Sequence, residues 1–356
     1  MGRESEGTQK LFEIIPLIRS AFNDSMVVIV DELDNSLHPH IADLIVKLFN
    51  DPDVNKKGSQ LVFSTHNMQL MAPEKMRRDQ IWFCEKNKGA SSLYSLDDFD
   101  KKKIKTTTPY AAWYDEGRFG GVPDINYLKV ASFISGDISL VMPDIDVKEL
   151  MSKKHGNNKK VPQVMYIYCE GEKTEPLYLE AYISDRSKRT LSVFKIPKTR
   201  KNTPEQLVDE AIKKKNSSSS AEGDVFWVVY DQEHLTPSSI SCHQKAWNKA
   251  NRHGINIAIS CVCFELWLLL HFGFTTKDFS SYDNLMSSSP LKKLITNYDK
   301  GSKLTYLAIR ERIGTAKDNA RKLDIYAKTN YKNTHEPYLF PCYTSFHELL
   351  KAIDDF

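Results

Sequence analysis

Val164-Met165-Tyr166-Ile167-Tyr168-Cys169-Glu170-Gly171-Glu172-Lys173-Thr174-Glu175-Pro176 is the stretch on which the reading of this chain turns. An unbroken apolar, β-branched and aromatic run gives way at once to carboxylates, a glycine and a proline. Such a run predicts a buried strand whose C-terminal end opens into a turn. In open α/β sheets ligands bind beyond the carboxyl ends of the strands. Acids placed there suit a divalent cation. A solvated acidic turn is the plainer alternative.

A second run of the same kind follows. Asp224-Val225-Phe226-Trp227-Val228-Val229-Tyr230 predicts a strand that ends in Asp231-Gln232-Glu233-His234. Between the two lie a helical pattern on Leu177, Tyr178, Ala181, Tyr182 and Ile183, a strand-like 191–196, a helix over 205–215 and a serine-rich loop at 216–220. Neighbouring parallel strands would set Glu170 beside Asp231 and Glu233. The last two lie two apart, so both can face one side of a strand end. Three close carboxylates repel one another unless protons or a cation intervene. Mg²⁺, which takes oxygen ligands and keeps waters for phosphates, is the expected guest.

The spacing strand-Glu-Gly, then strand-Asp-x-Glu, resembles the TOPRIM metal site. A third element extends the likeness: a strand over Ile255–Ser260, then Cys261-Val262-Cys263-Phe264-Glu265-Leu266-Trp267-Leu268-Leu269-Leu270-His271-Phe272 entering a helix. With Tyr343-Thr344-Ser345-Phe346-His347-Glu348-Leu349-Leu350, this looks like the RloB family over nearly all of 163–356. That family commonly has Asn-Pro where Cys261-Val262 stands here, and again near Pro341-Cys342. The resemblance implies metal-dependent phosphodiester cleavage, with Glu170, Asp231 and Glu233 as metal-holding and catalytic residues. Glu265 is either a fourth acid of that site or a partner for a neighbouring backbone turn. Zinc on Cys261, Cys263 and His271 does not fit finger or ribbon spacing. Lys195, Lys198, Arg200 and Lys201 follow a strand and either hold a nucleic-acid backbone or are solvated.

The N-terminal third has a different order. Ser5-Glu6-Gly7-Thr8 leads into a helix with Leu11, Phe12, Ile15, Ile18 and Phe22 on one side. Backbone N–H groups and a hydroxyl at a helix start suit a phosphate, though most such stretches are plain caps. Met26-Val27-Val28-Ile29-Val30 then runs into Asp31-Glu32, a Walker B pattern. There the Asp organises Mg²⁺ and the Glu orients or deprotonates the attacking water. Ser36-Leu37-His38-Pro39, a helix, and a strand Gln60–Ser64 ending in Thr65-His66 follow. The series resembles the distal half of an ABC-type ATPase of the AAA-15/AAA-21, RloA-like class. Ser5 and Gly7 would be its signature, Asp31 and Glu32 its Walker B pair, and Ser36–Pro39 its D-loop. His66 would be its switch histidine, with Arg118–Pro123 as a closing segment. No Gly-x-x-x-x-Gly-Lys-Ser/Thr P-loop occurs in the sequence, so no phosphate nest is expected within it. The resemblance implies an ATP site shared with a second copy or with a P-loop-containing partner, and poor ATP hydrolysis by this chain alone.

The totals agree with two domains. The chain has 356 residues, 41% apolar and 27% charged, with a net charge of +3. Near-balanced charge gives no whole-chain nucleic-acid signature, so any such contact rests on local patches. The absence of Cys-x-x-Cys pairs among six cysteines suggests reduced, buried thiols in the cytoplasm. No apolar run approaches the ~18 residues of a membrane span. The expected architecture is α/β: a partial ABC-type lobe at 1–125, a linker at 126–162 that includes the basic stretch Met151–Lys160, and a TOPRIM-like domain with a mostly parallel sheet at 163–356. The expected function is a defence-type ATPase/nuclease fusion. The alternatives are a non-catalytic partner-binding scaffold or a truncated remnant of an ATPase.

Overall fold

The computed structural model describes residues 6–87, 90–105, 107–122, 161–186, 193–201, 203–295, 298–302, 305–331, 334 and 336–356. Ser5, Pro123, the linker sequence up to 160 (including 134–147) and 191–192 of the expected strand lie outside them. The described residues form two compact units. The first holds 6–115, 119–121 and 161; the second holds 116–118, 122 and the chain from 162 on.

In the first unit, helix α1 (Glu6–Asp24) precedes strand β1 (Val27–Val30), helix α2 (Pro39–Asn50) and strand β2 (Gln60–Phe63). β1 and β2 pair in parallel, Val27 opposite Gln60 and Val30 opposite Phe63. The crossover is α2, which His38 caps and Pro39 starts; proline suits that first position because its missing N–H has no helical partner there. Ile14, Ile18 and Ala21 of α1 pack with Val28, Leu33, Ala42, Ile45, Val46 and Phe49. Strands alternate faces, so Val28 enters this core while Ile29 is 77% exposed. Val27 and Val62 are exposed with it. An antiparallel pair, β3 (Trp82–Asn87) and β4 (Ala90–Ser95), and a short helix α3 (Tyr110–Asp115) complete the unit. There Phe83 stacks on Tyr114 and Phe119 and lies tilted against Tyr94.

The second unit is a five-stranded sheet with helices on both faces. Its strands are β5 (Met165–Cys169), β6 (Phe194–Lys195), β7 (Val225–Asp231), β8 (Asn256–Cys261) and β9 (Tyr343–Thr344), in the order β6-β5-β7-β8-β9. The first four are parallel and β9 is antiparallel to β8. Every residue of β5 is buried, as expected for a parallel strand covered on both sides. Helix α4 (Thr174–Arg186), between β5 and β6, places Tyr178, Leu179 and Tyr182 on one face of the sheet. Helices α5 (Pro204–Lys215) and α6 (Pro237–His253) place Leu207, Val208, Ala246 and Ala250 on the other. The chain thus winds outward from β5 to β6 on one face, then returns past β5 to β7 and β8 on the opposite face. This is what right-handed crossovers require when the winding direction reverses. The point of reversal lies between β5 and β7.

The C-terminal part covers the first face. Helix α7 (Glu265–Leu270) is wholly buried. It is followed by α8 (Tyr282–Ser288), α9 (Leu291–Leu294), α10 (Thr305–Ile309), α11 (Ile313–Asn330) and α12 (Phe346–Asp355). The charge alternation of 310–328 suggests a surface helix, but α11 buries Ile313, Ala316, Ala320, Leu323 and Ala327. Its inner stripe is built largely from alanines, which carry little hydropathic contrast. The Cys261–Val262 peptide is cis.

Candidate functional site

The reversal of winding opens a crevice at the carboxyl ends of β5 and β7, the place where doubly wound sheets take ligands. Glu170 and Asp231 stand on its two sides. The backbone N–H of Glu170 donates to the Val229 carbonyl at 2.9 Å. Its carboxylate in turn accepts the N–H of Asp231 at 3.0 Å. The register of two neighbouring strands therefore fixes both acids.

Two further acids reach the crevice. Glu175, buried in the first turn of α4, lies against Gly171: a methyl group built on that glycine would stand 2.1 Å from a Glu175 carboxylate oxygen. Glu265 opens α7, is buried, and accepts the Tyr298 hydroxyl at 2.7 Å. Burial, then the charge of Glu233 and that of Glu175, raise the Glu170 carboxyl to about 7, although the Asp231 N–H works the other way. Burial and the charges of Glu175, Glu265 and Glu170 push Asp231 well above the usual carboxylate range. Burial and Glu265 likewise raise Glu175, against an opposing pull from Lys300. Glu170, Glu175 and Asp231 thus feel neighbouring charges in a poorly solvated place, which makes their own charges harder to form.

Glu233 differs from its expected place. β7 ends at Asp231, and Glu233 sits beyond it in a left-handed conformation with φ 54°. Its N–H donates to the Val262 carbonyl at 2.9 Å and its side chain is exposed. The every-second-residue rule holds only while the strand continues. Glu233 therefore acts on Glu170 through its charge from the rim of the crevice.

The carboxylates are hard oxygen donors whose mutual repulsion a divalent cation would relieve, so the donor chemistry fits Mg²⁺. Among the described residues, however, no three acids, histidines or cysteines converge as a ready-made cage. Zinc has no support at Cys261, Cys263 and His271. Both thiols are free and buried, and burial raises them. His271 lies within 3.0 Å of the Trp267 carbonyl through Nδ1 and within 3.3 Å of the Tyr178 hydroxyl through Nε2. An Nδ1–H donating to that carbonyl leaves Nε2 to accept from the tyrosine, so both ring nitrogens are used. Burial lowers this imidazole to about 4, keeping it neutral. Lys198, Arg200 and Lys201 are exposed just beyond β6, a strand that points to the same edge as Glu170.

In the first unit the parallel pairing of β1 and β2 brings Asp31, Glu32, Ser64 and His66 together. The Ser64 hydroxyl donates to Asp31 and also accepts the Glu32 N–H at 2.8 Å. Glu32, left-handed at φ 48°, has its carboxylate 3.9 Å from His66 Nε2. Asp34 accepts from the Thr65 hydroxyl and from the His66 N–H. Lys10 donates to the carbonyls of Glu32 and Asn35, at 3.2 and 2.7 Å. Gly7 sits so close to the Ser36 carbonyl that a Cβ there would be 2.5 Å from its oxygen. Ser64 and Lys10 carry no signal in the sequence, because their roles arise from pairing, not from spacing along the chain.

Residues 165–353 match the family described as RloB-like protein. The chain belongs to the RloB-like family. Residues 1–72 of this RloB-like protein match a second family model, described as AAA domain, putative AbiEii toxin, Type IV TA system. The chain therefore joins an AAA-type, ATPase-like segment to an RloB-like domain. A comparison with curated proteins finds no match. Among the described residues no helix is long and apolar enough to cross a membrane. The RloB-like match begins at Met165, the first residue of β5, and takes in Glu170, Glu175, Asp231, Glu233 and Glu265.

Proposed function

We propose that the RloB-like unit is a Mg²⁺-dependent phosphodiesterase acting on nucleic acid, and that the ATPase-like segment regulates it. One observation carries the reading: Glu170 and Asp231 are joined by a hydrogen bond across the winding reversal, with buried Glu175 and Glu265 near enough for their charges to bear on Asp231. Repelling carboxylates at a ligand-binding strand edge are explained by a cation that they bind in use. Glu170 and Asp231 would hold it, with Glu175 buried behind them and Glu233 at the rim. When bound, the ion supplies Lewis-acid polarisation of a phosphoryl oxygen. The chain itself orients Glu170 through the Asp231 N–H and buries Glu175 and Glu265 beside it.

In the first unit, Asp31 would organise Mg²⁺, Glu32 would orient water, and His66 would reach a γ-phosphate. Gly7, with Ser5 ahead of it, would close over ATP held by a P-loop from outside this sequence, in an ATPase partner. A defence role in the cytoplasm accords with this pairing of an ATPase-like segment with a phosphodiesterase. The test is cleavage of labelled DNA and RNA with Mg²⁺ or Mn²⁺ and with EDTA, for wild type and Asp231→Ala. Metal-dependent cutting lost in the variant supports the reading. Cutting that is unaffected by the substitution or by EDTA defeats it.

Cys261-Val262 and Pro341-Cys342, which stand at or near places where the family commonly has Asn-Pro, favour a second reading, a partner-binding scaffold. It is distinguished by wild-type protein that is folded and binds an ATPase partner, yet cuts nothing with metal and ATP present.

A further inference from the structure

Beside the buried Glu265 stands a lysine. Lys300 holds its ammonium 3.7 Å from the centroid of the Tyr282 ring and 3.7 Å from a Glu265 carboxylate oxygen. The latter separation is too long for a hydrogen bond. Glu265 already accepts the Tyr298 hydroxyl at 2.7 Å, so Tyr298 anchors that oxygen. The backbone beneath Lys300 is fixed from the other side, where Thr174, at the start of α4, donates its hydroxyl to the Lys300 carbonyl at 2.9 Å. The side chain is half exposed, while that of Glu265 is 2% exposed. A cation is thus mounted on an aromatic face beside Glu265, with its three N–H donors not committed to that acid.

This is a poor arrangement for a structural counter-ion, which would close to hydrogen-bond distance on its buried acid. It suits a cation that takes up an incoming anion. β5 and β7 end in the acids Glu170 and Asp231, and Lys300 adds a positive charge that those acids cannot supply. We propose that Lys300 is a substrate-binding residue, which grips a non-bridging oxygen of the nucleic-acid phosphate next to the bond to be cut. Lysine acts here as a point charge, reading no base and contacting backbone alone. Glu265, Tyr298 and Tyr282 are its positioning residues. The proposal rests on the phosphodiesterase reading of the same crevice and assigns part of its substrate recognition.

The test measures binding separately from cutting. Fluorescence anisotropy in EDTA follows labelled single-stranded DNA, single-stranded RNA and duplex DNA on the full chain over a salt series. One lost phosphate contact lowers the slope of log K against log salt by about 0.7 on single strands and about 0.9 on duplex. Lys300→Met is expected to show that loss and a several-fold weaker Kd at low salt, equally across sequences. Lys300→Arg is expected to keep the slope, and Asp231→Ala to keep it while losing cutting. Thermal unfolding of Lys300→Met, half exposed as it is, is expected to match wild type. Should that variant unfold early, Lys300→Gln takes its place in the same series. Unchanged Kd and slope in Lys300→Met overturns the proposal, as does wild type that binds none of the three probes. Wild type that cuts, beside a Lys300→Met that binds and cuts equally well, sinks this assignment and leaves the phosphodiesterase reading standing. A slope lost with Lys300 in a protein that cuts nothing supports the grip and sinks the phosphodiesterase.

Discussion

Arg118 and Asp224 form a two-pronged ion pair, Nη1 to Oδ1 at 2.8 Å and Nη2 to Oδ2 at 2.7 Å, with neither side chain exposed to solvent. Asp224 also accepts the backbone N–H of Val164 and of Ala221, and Arg118 donates to Glu116 and to the Tyr166 hydroxyl. The pair stands at the amino ends of β5 and β7. Removing one partner strands a buried charge, which typically costs about 3–5 kcal/mol. Arg118→Ala should lower unfolding stability by that order in urea titration. Arg118→Lys should recover only part of it, because an ammonium cannot reproduce the planar fork. A loss below about 1 kcal/mol in Arg118→Ala would contradict the pairing.

Glu170 predicts a pH dependence. Its folded carboxyl is raised to about 7, from a reference near 4.5. Between those values the folded protein holds a proton that the unfolded chain has released. Stability from this group is therefore complete below about 4.5 and lost as pH rises through about 7. Metal-free protein should lose stability across that window, and Glu170→Gln should flatten the fall. His271, lowered to about 4, contributes with the opposite sign: its share is complete above about 6.5 and lost as pH falls. Asp231 and Glu175, raised as well, keep part of the fall in Glu170→Gln. A variant melting curve that falls with pH as steeply as wild type contradicts the assignment.

Gly171 predicts a coupling. An alanine there would drive its methyl group into the buried Glu175 carboxylate. Overpacking of this kind costs about 1–3 kcal/mol. Removing the carboxylate should relieve it, so Gly171→Ala should be less harmful in a Glu175→Ala background. The double-mutant cycle should show a coupling of about 0.5–3 kcal/mol. Strict additivity would mean that the two residues do not meet.

The nucleotide half predicts an absence and a dependence. Without a P-loop in the sequence, the purified chain should turn over ATP no faster than a Glu32→Gln control. Added to a P-loop-containing ATPase partner, wild type should stimulate hydrolysis by at least tenfold more than Ser64→Ala, an effect on the order of 1.4 kcal/mol. Ser64 matters because its hydroxyl bonds both Asp31 and the Glu32 backbone. Phosphate release assays decide both points. Turnover by the chain alone, lost in Glu32→Gln, would refute the first.

The sheet of the RloB-like unit was legible because its strands are buried on both faces. Continuous runs such as Met165–Cys169 and Val225–Tyr230 leave few other readings. Glu170 and Asp231 were legible because apolar runs stop abruptly at them. Glu175 and Lys300 were not. Glu175 enters the crevice from a helical turn five residues on, and Lys300 arrives from a segment whose place depends on Thr174 and Glu265. β9 spans only Tyr343–Thr344, too short for any periodicity to show. The exposed faces of Val27, Ile29 and Val62 also defy their sequence, since a strand apolar on both sides predicts two covered faces.

The antiparallel closure of β8 by β9 bears on how the protein is made. Ser345 returns its N–H to the Ile259 carbonyl and takes the Ile259 N–H on its hydroxyl, while Ser260 meets Thr344. Until the ribosome has delivered these residues, the flank of β8 is an unpaired apolar edge, of the kind that recruits other strands. The intervening stretch of roughly 80 residues takes about 4–16 s to translate at about 5–20 residues per second. During that interval the nascent chain is an aggregation hazard and a natural client for a holding chaperone. Codon choice between 262 and 342, which sets the length of the wait, should therefore govern yield more strongly than the same changes made upstream.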